Sequence, residues 1–204
     1  LRRVPMRKDA LSPWPPDRLA HLRDWLRGRV DAERFRHTEG VAFTAAVLAE
    51  QNGVSVTKAV VAAYFHDCAK HEPKGKMLKA LVGSPFRMDP FERELPALWH
   101  CSVGAAIAYK NWDVRDQDIL EAVRWHALGG PRMRLLTQVL FVADYVEPAR
   151  KFTGVASVRR LAHKNLHRAV QAKCAGVLTY LARNGQTIHP RLIETWNEFL
   201  KPIA

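Results

Sequence analysis

Apolar residues recur at intervals of three and four along most of this chain, and histidines and aspartates fall inside the same stripes. His37, Val41, Thr44, Ala45 and Leu48 share one helical face; Ile119, Ala122, Val123 and His126 share another. Side chains at these spacings lie on one side of a helix. The segments therefore read as helices whose inward faces carry ionisable groups. No run shows the period of two that a half-buried strand requires. The pattern predicts an all-α fold, a compact orthogonal helical bundle.

A first helix is expected after Pro16, with Leu19, Leu22, Trp25 and Leu26 on one face. A second covers about 33–51 and stops at Asn52-Gly53. Ser55 can cap a third, which runs through Ala59 and Ala63 to His66-Asp67. From His71 to Pro96 the pattern is broken by Pro73, Gly75, Gly83, Pro85 and Pro90. That segment predicts a loop-rich lid or rim with short helical pieces around 77–81. Further helices are expected over about 96–112, 116–127, 135–147, 158–163, 166–184 and 190–200, with Gly129-Gly130-Pro131 and Glu147-Pro148 as stops. Residues 1–16 form a Pro/Arg-rich lead-in, and 17–204 read as one domain.

A length of 204 residues with 48% apolar content suits one domain with a real core. No stretch approaches the roughly 20 apolar residues of a membrane span. The basic start is not followed by an apolar segment, so no signal peptide is expected, and Met6 is a candidate true beginning. Cys68, Cys101 and Cys174 are scattered and odd in number, which points to reduced thiols in the cytoplasm. The net charge of +12 admits two readings. It can attract a polyphosphate and aid solubility, or it can meet nucleic acid or a ribosome.

The chemistry centres on His66-Asp67, which ends the apolar run Val60-Val61-Ala62-Ala63-Tyr64-Phe65. A buried imidazole beside a buried carboxylate is costly unless both are paired, and a metal ion is the usual compensation. Helical neighbours diverge by about 100°, so the two side chains can face different ions. His37, His100, His126 and Asp144 each lie on a separate apolar stripe. One such residue alone reads as a hydrogen-bonded core residue. Six on five inward faces need partners, and metal ions supply them together. Cys68 and Cys101 adjoin these positions and read as small core residues. His21, His71, His163 and His167 lie on polar or mixed segments and are expected to be exposed.

The order of these motifs resembles the HD-domain metal phosphohydrolase superfamily, and within it the YqeK branch of bacterial symmetrical diadenosine tetraphosphate hydrolases. The matching pieces are Arg36-His37-Thr38, Phe65-His66-Asp67-Cys68-Ala69-Lys70, Trp99-His100-Cys101-Ser102-Val103-Gly104-Ala105 and Val123-Arg124-Trp125-His126. Leu140-Phe141-Val142-Ala143-Asp144-Tyr145-Val146-Glu147-Pro148-Ala149-Arg150 and Gly185-Gln186-Thr187-Ile188-His189-Pro190 point to the branch itself. The likeness spans about 19–197. Two positions depart from the pattern: Cys101 stands where the family usually has glycine, and Gly129-Gly130-Pro131-Arg132-Met133 differs in order.

The resemblance implies a bimetal centre, with iron as the expected metal and manganese or another divalent ion as an alternative. His37, His66, Asp67 and Asp144 would hold one ion; Asp67 would bridge to a second, held with His100 and His126. Two ions about 3.5–4 Å apart would lower the pKa of a shared water and yield a hydroxide for attack on phosphorus. Lys70, one helical turn past His66, and Arg150, near Asp144, are expected to act with Asp67 in catalysis and to clamp phosphate oxygens. Arg132 is a further candidate phosphate contact. His189 either touches the substrate or caps the last helix.

The expected activity is metal-dependent cleavage of diadenosine tetraphosphate into two ADP. Another nucleotide phosphohydrolase, such as a nucleotidase or phosphodiesterase, is the alternative within enzymes. The cyclic-dinucleotide branch is disfavoured because no Gly-Tyr-Pro follows His66-Asp67. A basic nucleotide- or RNA-binding module without catalysis is the alternative outside enzymes. A homodimer through Trp14 and Trp196 is one reading of those aromatics, and core packing is the other.

Overall fold

A computed structural model describes residues 14–201. Most of the Pro/Arg-rich lead-in, residues 1–13, lies outside the described residues. The elements are α1 (Pro16–Arg27), α2 (Ala32–Gln51), α3 (Val56–His66), α4 (Lys74–Leu81) and α5 (Pro90–Glu94), followed by a 3₁₀ turn (Pro96–Leu98). After them come α6 (Trp99–Asn111), α7 (Gln117–Trp125), α8 (Leu135–Val146), α9 (Val155–Lys164), α10 (Leu166–Arg183) and α11 (Pro190–Phe199). The described residues hold no strand, so the all-α expectation is met. None of their helices is long and apolar enough to cross a membrane.

The middle of the bundle is α3. Val61 to His66 are buried on every side, as a helix apolar all round must be. Helices α2, α6, α7 and α8 pack around it. Phe65 and Phe141, both fully buried, contribute about 1.5–3 kcal/mol each through lost apolar surface. Two glycines set the closest approaches. A Cβ on Gly104 would lie 2.8 Å from the Phe65 carbonyl oxygen, so only glycine lets α6 press against the end of α3. A Cβ on Gly40 would lie 2.6 Å from a Glu147 oxygen, so α2 leaves room there for a carboxylate.

Helix ends follow the sequence signals. Asp31, Ser55 and Asp116 cap α2, α3 and α7 through their side chains. His66 is the last residue of α3, and Asp67 leaves the helix with φ −110° and ψ 11°. That turn lets the adjacent side chains aim in different directions.

The segment expected as a lid or rim is fastened down. Asp89 and Glu92 form a capping box on α5. Arg124 of α7 donates to both Glu92 oxygens at 2.6 Å, and this pair is buried. Trp99 Nε1 donates to the Glu92 carbonyl at 2.8 Å. Helix α9 starts at Val155, three residues earlier than expected, because Gly154 takes the left-handed conformation (φ 92°) that begins it. Trp14 is buried, stacks on Trp112 and meets Phe65 edge-on. Trp196 packs against the core. Both aromatics therefore serve the chain's own interior.

Candidate metal centre

Six side chains from α2, the end of α3, α6, the end of α7 and α8 converge beneath one mouth. His66, Asp67, His100 and His126 are almost wholly buried; His37 is 8% exposed. The ligand atoms fall into two groups. His37 Nε2 lies 3.2 Å from Asp144 Oδ1, and His66 Nε2 lies 4.0 Å from the same oxygen. His100 Nε2 lies 3.2 Å from His126 Nε2. Asp67 stands between them: Oδ2 is 3.9 Å from His37 and 3.6 Å from His66, while Oδ1 is 3.2 Å from His100 and 3.7 Å from His126.

The far nitrogens of three rings are already committed. His66 Nδ1 donates to the Ala63 carbonyl at 2.6 Å and His126 Nδ1 to the Val123 carbonyl at 2.8 Å. His37 Nδ1 donates to Glu147 Oε1 at 3.2 Å. Such partners fix the tautomer and turn each Nε2 inward, as metal-binding imidazoles require. His37 Nε2, His66 Nε2 and Asp67 Oδ1 are buried without hydrogen-bond partners. Orphaned polar atoms in a core are costly; the two histidine nitrogens face Asp67 Oδ2, and Asp67 Oδ1 faces His100 and His126. The donor set of imidazoles and carboxylates therefore fits a divalent cation.

Electrostatics divide the cluster. Burial pushes His66 down to about 3, so its ring is neutral and free to bind a metal. Burial alone would raise Asp67, but His66, His100 and His126 hold it well below the usual carboxylate range. Burial likewise opposes ionisation of Asp144, and the nearby His37 ring and the Lys173 charge outweigh it. His126 is raised to about 10, the form that would not bind a metal: burial disfavours its charge, and the neighbouring Cys101 sulfur and Asp67 more than compensate.

Of the expected cation positions, two join the cluster. Lys70 Nζ is 3.3 Å from Asp67 Oδ1 and 3.1 Å from His100 Nε2. Arg150 Nη2 donates to Asp144 Oδ1 at 2.9 Å. Arg132 is exposed in the left-handed region (φ 59°) of the loop after His126. His189 is committed elsewhere. Its Nδ1 accepts from the Arg191 N–H as the cap of α11, and its Nε2 lies 3.2 Å from Asp89. His21, His71 and His163 are exposed as expected, and His167 is half-buried.

Three further residues belong here that sequence reasoning passed over. Arg34 Nη1 donates to Asp67 Oδ2 at 2.6 Å; its signal was a place one turn before His37. Glu147, 2% exposed, braces His37 and accepts from the Ala149 N–H at 2.7 Å; its signal was the three-residue step from Asp144. Lys173 is buried, donates to the Phe141 and His126 carbonyls at 2.6 and 3.2 Å, and lies 3.6 Å from Asp144 Oδ2. A lone lysine among Val170, Ala172 and Cys174 was its only trace.

A cleft of about 520 Å³ opens over His37 and is walled by Arg34, Arg36, His71, Glu147 and Arg150. A larger cleft of about 610 Å³, lined by Leu78, Phe86, Arg87 and Trp99, lies along α4 and the segment before α5. Its lining includes none of the six ligands.

Comparison with known proteins agrees with this geometry. The HD domain model matches residues 34–149, which hold all six of these side chains. A Bacillus subtilis protein named "Bis(5'-nucleosyl)-tetraphosphatase, symmetrical" is 38% identical over 172 residues, covering 84% of this chain and 92% of its own. A Halalkalibacterium halodurans protein of the same name is 36% identical over 175 residues, covering 86% and 93%. A crystal structure from Clostridium acetobutylicum, described as a "predicted HD superfamily hydrolase involved in NAD metabolism", superposes with a TM-score of 0.84 at 29% identity. The likeness covers 89% of this chain and 96% of that one. On this ground the chain belongs to the HD-domain family, in the branch of the symmetrical bis(5′-nucleosyl)-tetraphosphatases.

Proposed function

We propose that this chain is a metal-dependent hydrolase that splits diadenosine tetraphosphate, and related dinucleoside polyphosphates, symmetrically into nucleoside diphosphates. The observation that carries the reading is one buried carboxylate, Asp67, set between two groups of histidines under a basic mouth. We assign His37, His66, Asp67 and Asp144 to one ion, and Asp67, His100 and His126 to a second. Iron is the proposed metal, with manganese or another divalent ion as a substitute, since imidazole and carboxylate suit each of them. Bound divalent metal supplies an activated water nucleophile and charge stabilisation for phosphoryl oxygens.

The chain's own groups bind and orient the substrate. Lys70, about one-third exposed, stands at the edge of the cluster and can leave Asp67 for a phosphate oxygen. Arg150 and Arg34 each hold a ligand carboxylate and also wall the cleft. Both can engage phosphate in bidentate fashion. Glu147 keeps the His37 ring in register. The buried Lys173 ammonium holds Asp144 ionised. The net charge of +12 serves attraction of a polyanion in this reading. Arg132 is free enough to meet an outer phosphate, whereas the bonds of His189 favour capping. The three buried free cysteines suit a reducing cytoplasm.

Product analysis tests the proposal. Protein of known metal content is incubated with diadenosine tetraphosphate and iron or manganese under reducing conditions, and the nucleotides are separated. ADP as the sole product is expected. ATP with AMP, or no turnover by metal-loaded protein, would overturn symmetrical cleavage.

A further inference from the structure

Cys101 departs from the pattern of the family, and its side chain does not point away from the metal centre. Sγ lies 3.5 Å from His100 Nε2 and 4.0 Å from His126 Nε2, and the residue is 2% exposed. His100, Cys101 and His126 form a compact group of buried donor atoms. A second observation points the same way: Asp67 Oδ1, 3% exposed at its side chain, accepts no hydrogen bond and faces both rings.

Around His100 and His126 the separations approach those of ligands around one ion, although the compact group of His100, Cys101 and His126 does not include Asp67. Metal–nitrogen and metal–oxygen bonds of about 2.0–2.2 Å and a metal–sulfur bond of about 2.3 Å, set tetrahedrally, place donor atoms roughly 3.3–3.6 Å apart. The five separations here are 3.2 Å for His100 to His126, 3.2 Å for His100 to Asp67, 3.5 Å for Cys101 to His100, 3.7 Å for His126 to Asp67 and 4.0 Å for Cys101 to His126. Lys70 faces two of these donors from the open side, so an entering ion displaces its ammonium outward. Cys68, although it adjoins Asp67, is not in this group.

We propose that Cys101 is a thiolate ligand of the ion held by His100, His126 and Asp67, and that it makes this half of the centre selective for softer divalent metals. The inference rests on the bimetal reading above. Coordination converts the thiol to a metal-bound thiolate and releases one proton to solvent. Sulfur favours iron, cobalt or zinc, while carboxylate and water favour manganese and magnesium.

Cobalt(II) is the probe. Visible d–d bands report that it is bound, and a near-ultraviolet charge-transfer band reports a sulfur ligand. The wild-type chain should show both on cobalt titration. Cys101→Ser should keep bound cobalt and lose the near-ultraviolet band. Its cobalt affinity should fall by about tenfold or more, and its manganese affinity by less. Cys101→Ala serves in the same role if the serine variant melts early, and a Cys68→Ala, Cys174→Ala double variant should keep the band. Bound cobalt without the band, or a band that survives in Cys101→Ser, would overturn the thiolate assignment and leave the metal centre standing. Failure of the wild-type chain to bind cobalt at all would overturn the assignment and the centre together.

Discussion

The two halves of the candidate centre share Asp67, contribute two histidines each, and differ in what surrounds them. The half at His37, His66 and Asp144 is backed by charge. Glu147 braces one ring, and Arg150 and Lys173 hold the aspartate. The half at His100 and His126 has no second carboxylate; it has the Cys101 sulfur and the Lys70 ammonium. The first half opens on the basic cleft, and its ligand Asp144 is 18% exposed at its side chain. The second lies deeper, with every ligand 3% exposed or less. Under the proposed function, the first half would hold an ion beside an incoming polyanion, and the second would retain one under cover.

If Asp67 joins the halves, its loss should produce the largest effect. Asp67→Ala is expected to lower kcat/KM for diadenosine tetraphosphate by at least about a thousandfold, because residues that act as a unit fail together. Circular dichroism should show the helices intact. Hydrolysis at the wild-type rate by carefully purified variant would mean that the carboxylate joins nothing.

The cations at the mouth come next. Lys70→Ala and Arg150→Ala each remove a charge-assisted hydrogen bond worth about 1.5–3 kcal/mol, or roughly 10–150-fold in kcat/KM. Arg150→Ala should also disturb Asp144, so its metal content should fall while that of Lys70→Ala does not. Equal metal content in both would erase this difference between the halves.

Glu147→Gln should act only on the first half. It keeps the shape of the brace and weakens its pull on His37, which is expected to loosen one ion by about tenfold. Equilibrium dialysis at varied free metal should show one weakened site and one unchanged site. Two weakened sites would contradict separate bracing.

The smallest effect is in pH, and the halves should answer with opposite sign. Burial holds folded His66 at about 3, against an ordinary 6.5. The unfolded chain therefore takes up a proton that the folded chain refuses, and stability falls as pH drops from 6.5 toward 3. His126 is raised to about 10, so its contribution is present below 6.5 and fades as pH climbs toward 10. Thermal melts in chelator should lose the acid slope in His66→Gln and the alkaline slope in His126→Gln. The same slope lost in both variants would remove the contrast.

Much of this was legible in the sequence because a buried helix writes its inner face at steps of three and four. The stripes His37 with Val41, and Ile119 with His126, mark two of the histidines as inward-facing. The resemblance gathered them into one site. What stayed hidden was support that has no local signature. Arg34 reaches Asp67 across 33 positions and Lys173 reaches the His126 carbonyl across 47; the step of three from Arg34 to His37 marks a shared face but not the partner. Sequence alone makes Cys101 a small core residue, which its burial fits, whereas the structure sets its sulfur 3.5 Å from the His100 ring. The rim before α6 looked loose because prolines and glycines dominate it, whereas the buried pair of Arg124 with Glu92 fixes it from a different helix.

The most direct test of the account is a metal count. Wild-type protein, His37→Ala, His126→Ala and Asp67→Ala would be loaded with iron under reducing conditions, freed of loose metal and assayed for ions per chain. The account predicts two ions in the wild-type chain, one in each histidine variant, retained at the opposite half, and fewer than one in Asp67→Ala. A single ion in the wild-type chain, or two ions surviving in Asp67→Ala, would contradict a pair of unlike sites joined by one carboxylate.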